Sequence, residues 1–585
     1  MIPKSLHAQA SSIRIFALCL AALLMLTGSV IAGPAGSHVS ASAAVSSAQA
    51  AHAQLPTAQG AGSGSQQEVT PVSGQVGSAS AHHEDTRSGK QAKPHHNQVS
   101  ANVAARFLEQ SSWGPTADTI AQLEQTDLST WLQQQFAAPV STYGAPSSLA
   151  SVQEQFFVNA MQGQDQLRQR VSFALSEIIV ISAIPTKQIK DPTAFSLWMN
   201  MLQNDAFGNF YNLLNDVTLS PSMGTYLNMA NNNGCSTHCR PNENYGRELL
   251  QLFSIGLDEL NQDGTLILDQ NGNPIPTYTQ DTIDGFGAVF TGWSYPPKPG
   301  QVAHFYDRAY YSGPMLPFQK HYSKASKELL NGVTLAPDGN IQTDLSSALQ
   351  NVFTHPNVAP FICQQLIQKL VTSNPIPDYV SRCSQVFNDD GTGVRGNMQA
   401  VISEILLDSE ARRGDDPTQV QPTDGHLREP LLHMMFAMRA VNTTTDGAGL
   451  TSYAASMLQS PFQSPSVFNF YPPNYELPGL DILGPEFKIL NANTTMDRIN
   501  FINDLIYGSV GPNTQIDISP YVAVAGNVGS LLDLINTNLM HSAMPTDMYT
   551  TLLNTLSNPA FSTPTSVAQA ALYLVETSSQ FQVED

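Results

Sequence analysis

The stretch QLRQRVSFALSEIIVIS, residues 166–182, indicates the fold class of this chain. After Arg170, apolar side chains surround most of the helical circumference, whereas a helix at a protein surface shows a single apolar stripe. A helix that is apolar on most sides needs packing partners on those sides. The stretch therefore predicts a core helix inside a protein built mainly from α-helices.

Helical patterns continue on both sides of this core helix. Residues 103–136 contain three of them, and residues 345–371 and 397–412 carry further ones. The clear β signal is GTLILDQNGNPIPTY, residues 264–278, in which Asn271-Gly272 favours a hairpin turn. We expect a mainly α fold, a large multi-helix domain with one inserted β-hairpin and long loops.

The N-terminal segment resembles a secretion signal. Lys4 and Arg14 precede an apolar run, and small residues follow it at a candidate cleavage site, so residues 1–32 predict a signal peptide. A retained membrane anchor is the alternative, because residues 15–32 approach the length of a membrane span. We expect an exported protein, periplasmic or extracellular, with no membrane span after signal removal.

Composition then changes along the chain. Residues 33–97 are rich in Ala, Ser, Gly and His and poor in large apolar residues, which predicts a disordered tether. Helical patterns begin after it. We expect a main helical domain over residues 98–440 and a C-terminal helical extension over residues 441–585 that packs on it.

The charge balance excludes one class of partner. Charged residues are 12% of the chain, and the formal net charge is -21. A strongly acidic protein repels polyanions, so we expect no binding to nucleic acid or to an anionic membrane surface. The sequence does not identify a protein partner.

Four cysteines follow the signal segment: Cys235, Cys239, Cys363 and Cys383. An even number of cysteines in an exported chain favours disulfides. Three pairings are open, and proximity in sequence favours Cys235–Cys239 with Cys363–Cys383. A zinc site at the first pair is the alternative, although a second pair of ligands is missing there.

A first polar cluster stands at the start of the helix NENYGRELLQLF, residues 242–253. Asn242 is an N-cap candidate, and Glu243 and Arg247 are four residues apart, as are Asn244 and Glu248. One interpretation is catalytic, with Glu243 or Glu248 as general base and Arg247 as an anion clamp. The other is a structural network that anchors loop backbone.

A second cluster follows the hairpin. Asp281 and Asp284 share a helix face, and Trp293, His321 and Lys324 come after them. We interpret Asp281 as a candidate base and Asp284 with His321 as candidate ligands of a divalent metal. Together with Asn242 and Asn244, Trp293 and Lys324 are candidate substrate-binding residues. The structural alternative makes Asp281 a partner of the helix dipole.

Several blocks carry a family resemblance in a fixed order: PNENYGRELLQLFSIGL, YTQDTIDGFGAVFTGW, HYSKASKELLNG, VFTHPNVAPFICQQLIQKLV, GVRGNMQAVISEILLDSEAR and SPSVFNFYPPNY. Over roughly residues 103–505 the chain resembles the bacterial family called domain of unknown function 1800, in its longer exported form. The resemblance implies a large, mainly helical protein. It implies no reaction, ligand or catalytic residue.

Compartment and residue types together suggest a hydrolase. We expect it to act on an envelope or extracellular polymer through a polar, helix-lined pocket. The alternative is a non-catalytic binding or assembly module of the cell envelope.

Overall fold

A computed structural model describes residues 99–184, 189–234 and 240–584. The predicted signal peptide and tether lie outside these ranges, and so do Cys235 and Cys239. Within them the chain forms 21 α-helices and three short antiparallel strand pairs, which confirms the mainly α fold.

The first half of the described chain contains ten helices. They are α1 (Ala101–Ser111), α2 (Ala117–Leu123), α3 (Leu128–Phe136), α4 (Leu149–Gln162), α5 (Gln166–Ile178), α6 (Thr193–Asp205), α7 (Phe210–Leu219), α8 (Pro221–Tyr226), α9 (Asn244–Gln251) and α10 (Gln280–Val289).

The second half contains eleven. They are α11 (Ile341–Phe353), α12 (Val358–Leu370), α13 (Pro377–Asn388), α14 (Met398–Leu407), α15 (Pro430–Ala440), α16 (Leu450–Ser456), α17 (Ala492–Tyr507), α18 (Ser519–Val524), α19 (Val528–Met540), α20 (Thr546–Leu556) and α21 (Pro564–Glu576).

Helix α5 lies at the centre of the core, as its composition predicts. All its residues except Ser176 are buried. It packs against α3, α4, α6 and α12. Asp165 precedes it, and this buried carboxylate accepts hydrogen bonds from the backbone N–H and the hydroxyl of Ser141. These hydrogen bonds fix the start of α5 relative to the loop that carries Ser141.

The strand pairs are two residues long. They join β1 (Trp293–Ser294) to β2 (Leu316–Pro317), β3 (Lys327–Glu328) to β4 (Thr334–Leu335), and β5 (His426–Leu427) to β6 (Val583–Glu584). The predicted hairpin near residues 264–278 forms as a ladder of single bridges, among them Leu260 to Leu266 and Leu268 to Pro274.

The ends of the described chain meet. Helix α1 packs against α19, and β5 pairs with β6 near the C-terminus. The described residues belong to one compact unit. The proposed division at residue 440 stays a prediction. No helix in the described ranges combines the length and the apolar character that a membrane span requires.

A disulfide joins Cys363 of α12 to Cys383 of α13, which confirms that predicted pair. Both cysteines are fully buried. The bond closes a loop across a sequence separation of 20 residues.

Loss of this disulfide is expected to reduce the free energy of unfolding by about 3 kcal/mol, because the unfolded chain regains the entropy of the open loop. Denaturation of the parent with and without reductant measures the loss. The double variant Cys363→Ala, Cys383→Ala is the control and should no longer respond to reductant through this bond. Equal midpoints for the oxidised and reduced parent would contradict the expectation.

Candidate active site

The polar start of α9 forms a network at the protein surface. The Arg247 guanidinium contacts the Glu243 carboxylate, and these side chains are 35% and 34% exposed. The Gln280 amide donates to Glu243 Oε2 at 2.9 Å and to Asp284 Oδ1 at 2.9 Å. The structure thus brings Glu243, Arg247 and Asp284 together in a network that ties α9 to α10.

Asn242 does not cap α9 as expected. The helix begins at Asn244, and Glu243 occupies the N-cap position. The Asn242 side chain instead accepts from the backbone N–H of Asn244 at 3.0 Å, in a turn before the helix. Asn232 holds this turn through two hydrogen bonds to the Asn242 backbone, at 2.9 and 3.0 Å. These contacts fit the loop-anchoring interpretation.

Glu248 is the most perturbed acid of the sequence-derived set. Burial raises its pKa to about 6, against the opposing effect of Arg247. Its Oε2 atom has no hydrogen-bond partner among the described residues. Asp281 and Lys324 are exposed, whereas Trp293 is buried in the core at 3% exposure.

The structure places the candidate metal ligands Asp284 and His321 with different partners. Asp284 accepts from Gln280, and the His321 ring stacks on Phe305 with a centroid distance of 3.8 Å. The His321 Nδ1 atom lies 3.3 Å from Asn233 Oδ1. In the parts of the chain that the structure describes, no group of three or more His, Cys, Asp or Glu side chains forms a metal-binding arrangement.

The most spacious of the cavities described here lies elsewhere, at the opposite end of α9. It has a volume of about 530 Å³. Five parts of the chain line it: the end of α9 with residues 256–266, one face of α12, residues 467–474, the end of α5, and Leu483. Its size is that of pockets that bind small molecules or part of a chain.

Two features hold the mouth of this pocket in place. Gly256 adopts a φ of +76°, and a Cβ atom there would lie 2.7 Å from the Phe361 ring, so a side chain is excluded. Asn357 donates to the carbonyls of Ile255 and Asp258 at 2.9 and 2.8 Å. The turn that carries Leu257 is therefore fixed to the start of α12.

One face of α12 forms a wall of the pocket. Phe361, Gln364, Gln365, Gln368 and Lys369 all line it. Their spacing of three or four residues places them on one side of a helix. The opposite side of α12 carries Cys363 and its disulfide.

At the pocket floor, three polar side chains of the lining meet a fourth, Glu429, which is not itself part of the lining. Lys369 Nζ lies 3.1 Å from Glu177 Oε2 and donates to the Tyr471 hydroxyl at 3.2 Å. The Tyr471 hydroxyl donates to Glu429 Oε2. The Glu177 and Glu429 carboxyl groups are close enough for each to shift the pKa of the other. Because two neighbouring carboxylates repel each other, we expect one of the two to hold a proton at a pH at which an ordinary glutamate is ionised.

The surroundings give the two acids opposite pKa shifts. Burial, and next the Glu429 charge, raises the pKa of Glu177 to about 8. Burial acts on Glu429 too, but the Lys369 ammonium, the Tyr471 hydroxyl and Arg170 outweigh it and lower the pKa of Glu429. At neutral pH Glu177 is therefore the protonated acid and Glu429 the carboxylate. Pairs of acids with separated pKa values are typical of acid–base catalysis.

Two carboxamides orient the acid pair. The Asn469 amide donates to Glu177 Oε1 at 2.7 Å, and the Gln459 amide contacts Glu429 and donates to Glu177 Oε1 at 3.3 Å. The Gln459 oxygen is itself fixed by the backbone N–H of Leu431, at 2.9 Å. The pair is thus held by groups that are buried and already hydrogen-bonded.

Sequence reasoning missed all four floor residues. They stand at positions 177, 369, 429 and 471, so no spacing connects them. One signal was present, since Glu177 is a lone acid in a helix that is apolar on most sides. A buried acid without a partner is rare, and its position predicts either a partner or a function.

Stability is expected to depend on pH through Glu177. Its pKa is about 8 in the folded protein and 4.5 as an ordinary glutamate, so the folded state holds the proton more tightly. Stability from this group is complete below pH 4.5 and declines as pH rises towards 8. The expected slope is roughly 1 kcal/mol per pH unit.

The variant Glu177→Gln should lose this dependence, because a carboxamide does not titrate. Chemical denaturation of parent and variant at several pH values between those two limits measures the difference. Parallel curves for the two proteins would contradict the assignment of a raised pKa to Glu177.

The fold and the pocket define a class, a mainly helical protein with a buried pair of acids, of opposite pKa shifts, beside a pocket. A family model described as a protein of unknown function, DUF1800, matches residues 106–583. The chain belongs to this family. The match extends beyond residue 505, where the resemblance was expected to end, and includes the C-terminal helices. No curated protein and no solved structure matches the chain.

Proposed function

We propose that this protein is a hydrolase and that Glu177 is its general acid. The supporting observation is the neighbouring pair Glu177–Glu429, which the Gln459 amide bridges and which has opposite pKa shifts, beside a cavity of about 530 Å³. Glu177 lines the cavity together with Lys369 and Tyr471. Glu429 and Lys369 influence the pKa of Glu177 and so its protonation.

The pair can cleave an acyl bond with one water molecule. Water oxygen attacks the carbonyl carbon while Glu177 gives its proton to the carbonyl oxygen and the pair takes up the proton that water loses. As the tetrahedral intermediate collapses, the pair gives that proton to the leaving group and regains one from the hydroxyl of the intermediate, so it ends with the one proton it began with. Lys369, 3.1 Å from Glu177, stabilises the negative charge of the pair between these steps.

Glu177 also lines a second, smaller cavity. This cavity has a volume of about 30 Å³ and is bordered by Ser176, Ser464 and Asn469. Such a volume accommodates about one water molecule, and its polar border supplies hydrogen-bond partners. It offers a place from which a reacting water can reach the acid pair.

The export predicted for this chain suggests where the enzyme acts. We propose an envelope or extracellular polymer as substrate, as the signal-like segment suggests. A binding or assembly module is the second candidate. The near-complete burial of Glu177, whose side chain is 2% exposed, favours it, because a sealed acid pair can serve structure alone.

A hydrolysis screen separates the two candidates. Parent protein and Glu177→Gln are incubated with panels of esters, anilides and polymer fragments, and product release is followed. We expect turnover by the parent that the variant loses. Turnover that survives in Glu177→Gln would overturn the assigned acid, and absence of turnover with every panel would favour the binding module.

A further inference from the structure

The lining of the main pocket does not favour an anionic ligand. Its charged side chains are Glu177, Asp258 and Lys369. The neighbouring Glu429 carboxylate balances the charge of the Lys369 ammonium, and Lys369 Nζ also lies 3.1 Å from Glu177 Oε2, so Lys369 is not available to an anionic ligand. Glu177 is protonated at neutral pH. The net charge of -21 further disfavours an anionic chain.

A row of carboxamides follows the wall of the pocket. Gln364 and Gln365 are half-buried on the pocket face of α12, Gln368 is buried on the same face, and Asn474 lies on the same lining. The Gln365 Nε2 atom is buried and has no hydrogen-bond partner among the described residues. A carboxamide both donates and accepts, so it matches a ligand that does the same, such as a peptide amide.

Large apolar side chains surround the mouth. Leu257, Leu266 and Phe468 line it and are 54%, 47% and 47% exposed. Single exposed leucines are ordinary, but three large apolar groups around one pocket mark a binding surface. Two of the three are aliphatic, which suits an apolar side chain better than the face of a sugar ring.

We propose that the substrate is a peptide, bound through an uncharged stretch with a large apolar side chain. Its amides pair with the carboxamides of α12, and its apolar side chain lies between Leu257, Leu266 and Phe468. This inference rests on the proposed function, since it assigns the substrate class of the same pocket. The bond cleaved is then a peptide C–N bond, which consumes one water and yields one carboxyl and one amine.

Peptide binding to the full-length Glu177→Gln variant tests the substrate class separately from catalysis. The probe is an acetylated and amidated Ala-Leu-Phe-Ala peptide, measured by calorimetric titration. The comparison probes are the same peptide with Asp in place of Leu and a tetramer of N-acetylglucosamine. We expect binding of the first probe alone.

The sequence offers a matched pair of rim variants. Leu266 lines the pocket, whereas Leu268, two residues away and 52% exposed, does not. We expect Leu266→Asp to weaken peptide binding at least about tenfold. Leu268→Asp should leave binding unchanged. Both positions are on the surface, so both variants should fold, and kcat/KM for the peptide in the parent background gives a second measurement.

The outcomes separate the two proposals. Binding of the sugar tetramer without the peptide, equal effects of the two rim variants, or no peptide binding at all would overturn the substrate class. None of these results touches the role of Glu177, which depends on turnover by the parent.

Discussion

Glu177→Gln is expected to reduce kcat/KM by about 10²- to 10⁴-fold, the range typical for the loss of a general acid. The carboxamide keeps the size of the side chain, and its oxygen can accept the hydrogen bond from the Asn469 amide, so the pocket should keep its shape. It cannot give a proton to the carbonyl oxygen or the leaving group. The loss should therefore appear in kcat, with KM nearly unchanged.

Helix α21 provides a matched control for this variant. Glu576 is fully buried, and burial raises its pKa well above the ordinary value, as for Glu177. It lines none of the cavities described here. Glu576→Gln should keep full activity, so an equal loss in both variants would indicate general destabilisation and not a catalytic role.

The pH dependence of the rate gives an independent check. Activity requires protonated Glu177, so kcat/KM should fall as pH rises through about 8. It should also fall on the acid side as Glu429 is protonated, below the ordinary range of a glutamate. The two acids titrate as a unit, so the apparent pKa values on the acid and alkaline sides of the profile belong to the pair and not to single residues. A profile without the alkaline limb would contradict the assignment.

Glu109→Gln is expected to lower the free energy of unfolding by about 3–5 kcal/mol. Glu109 of α1 forms an ion pair with Arg428 and contacts the Nε2 atom of His541, and these contacts join α1 to the C-terminal region. The central carbon of the Arg428 guanidinium lies 4.3 Å from the ring centroid of Phe436 and 4.8 Å from that of Phe581. Removal of the carboxylate leaves this buried cation without its counter-ion.

The half-exposed pair Glu243–Arg247 is the control for this variant. Glu243→Gln should cost less than about 1 kcal/mol, because solvent screens an exposed ion pair. Chemical denaturation of both variants at neutral pH measures the contrast. Equal losses of unfolding free energy in Glu109→Gln and Glu243→Gln would contradict the expectation that burial makes the Glu109 contacts more stabilising.

The Glu109 pair should also show a pH signature. Burial raises the Glu109 pKa, but Arg428 and His541 outweigh it and lower the pKa to about 2. Stability from this group is present above pH 4.5 and is lost as pH falls towards 2. The difference between parent and Glu109→Gln should therefore shrink in acid.

Local patterns in the sequence predicted the fold well. The core helix α5, the hairpin ladder near Leu266 and the Cys363–Cys383 disulfide each depend on residues close together in the chain, and each is present. At the start of α9, the N-cap residue differs from the predicted one. The Asn242 side chain bonds within the preceding turn and does not cap the helix.

The acid pair could not be predicted in the same way. Its partners Glu177 and Glu429 come together only because α5 and the segment before α15 pack around the same core. The sequence predicted a catalytic site at the polar start of α9, because many acids and amides are close together there in the sequence. The pocket lies at the other end of that helix. The catalytic assignments of Glu243, Glu248, Arg247 and Asp281 stay predictions.

The protonation state of Glu177 is the most direct test of the account. Infrared spectra of the parent at neutral pH should show the carbonyl bands of protonated acids, one of which is lost in Glu177→Gln and another in Glu576→Gln. We predict that the Glu177 band disappears as pH rises through about 8. A parent spectrum in which Glu177→Gln removes no protonated-acid band at neutral pH would show an ionised Glu177 and contradict the proposed acid pair.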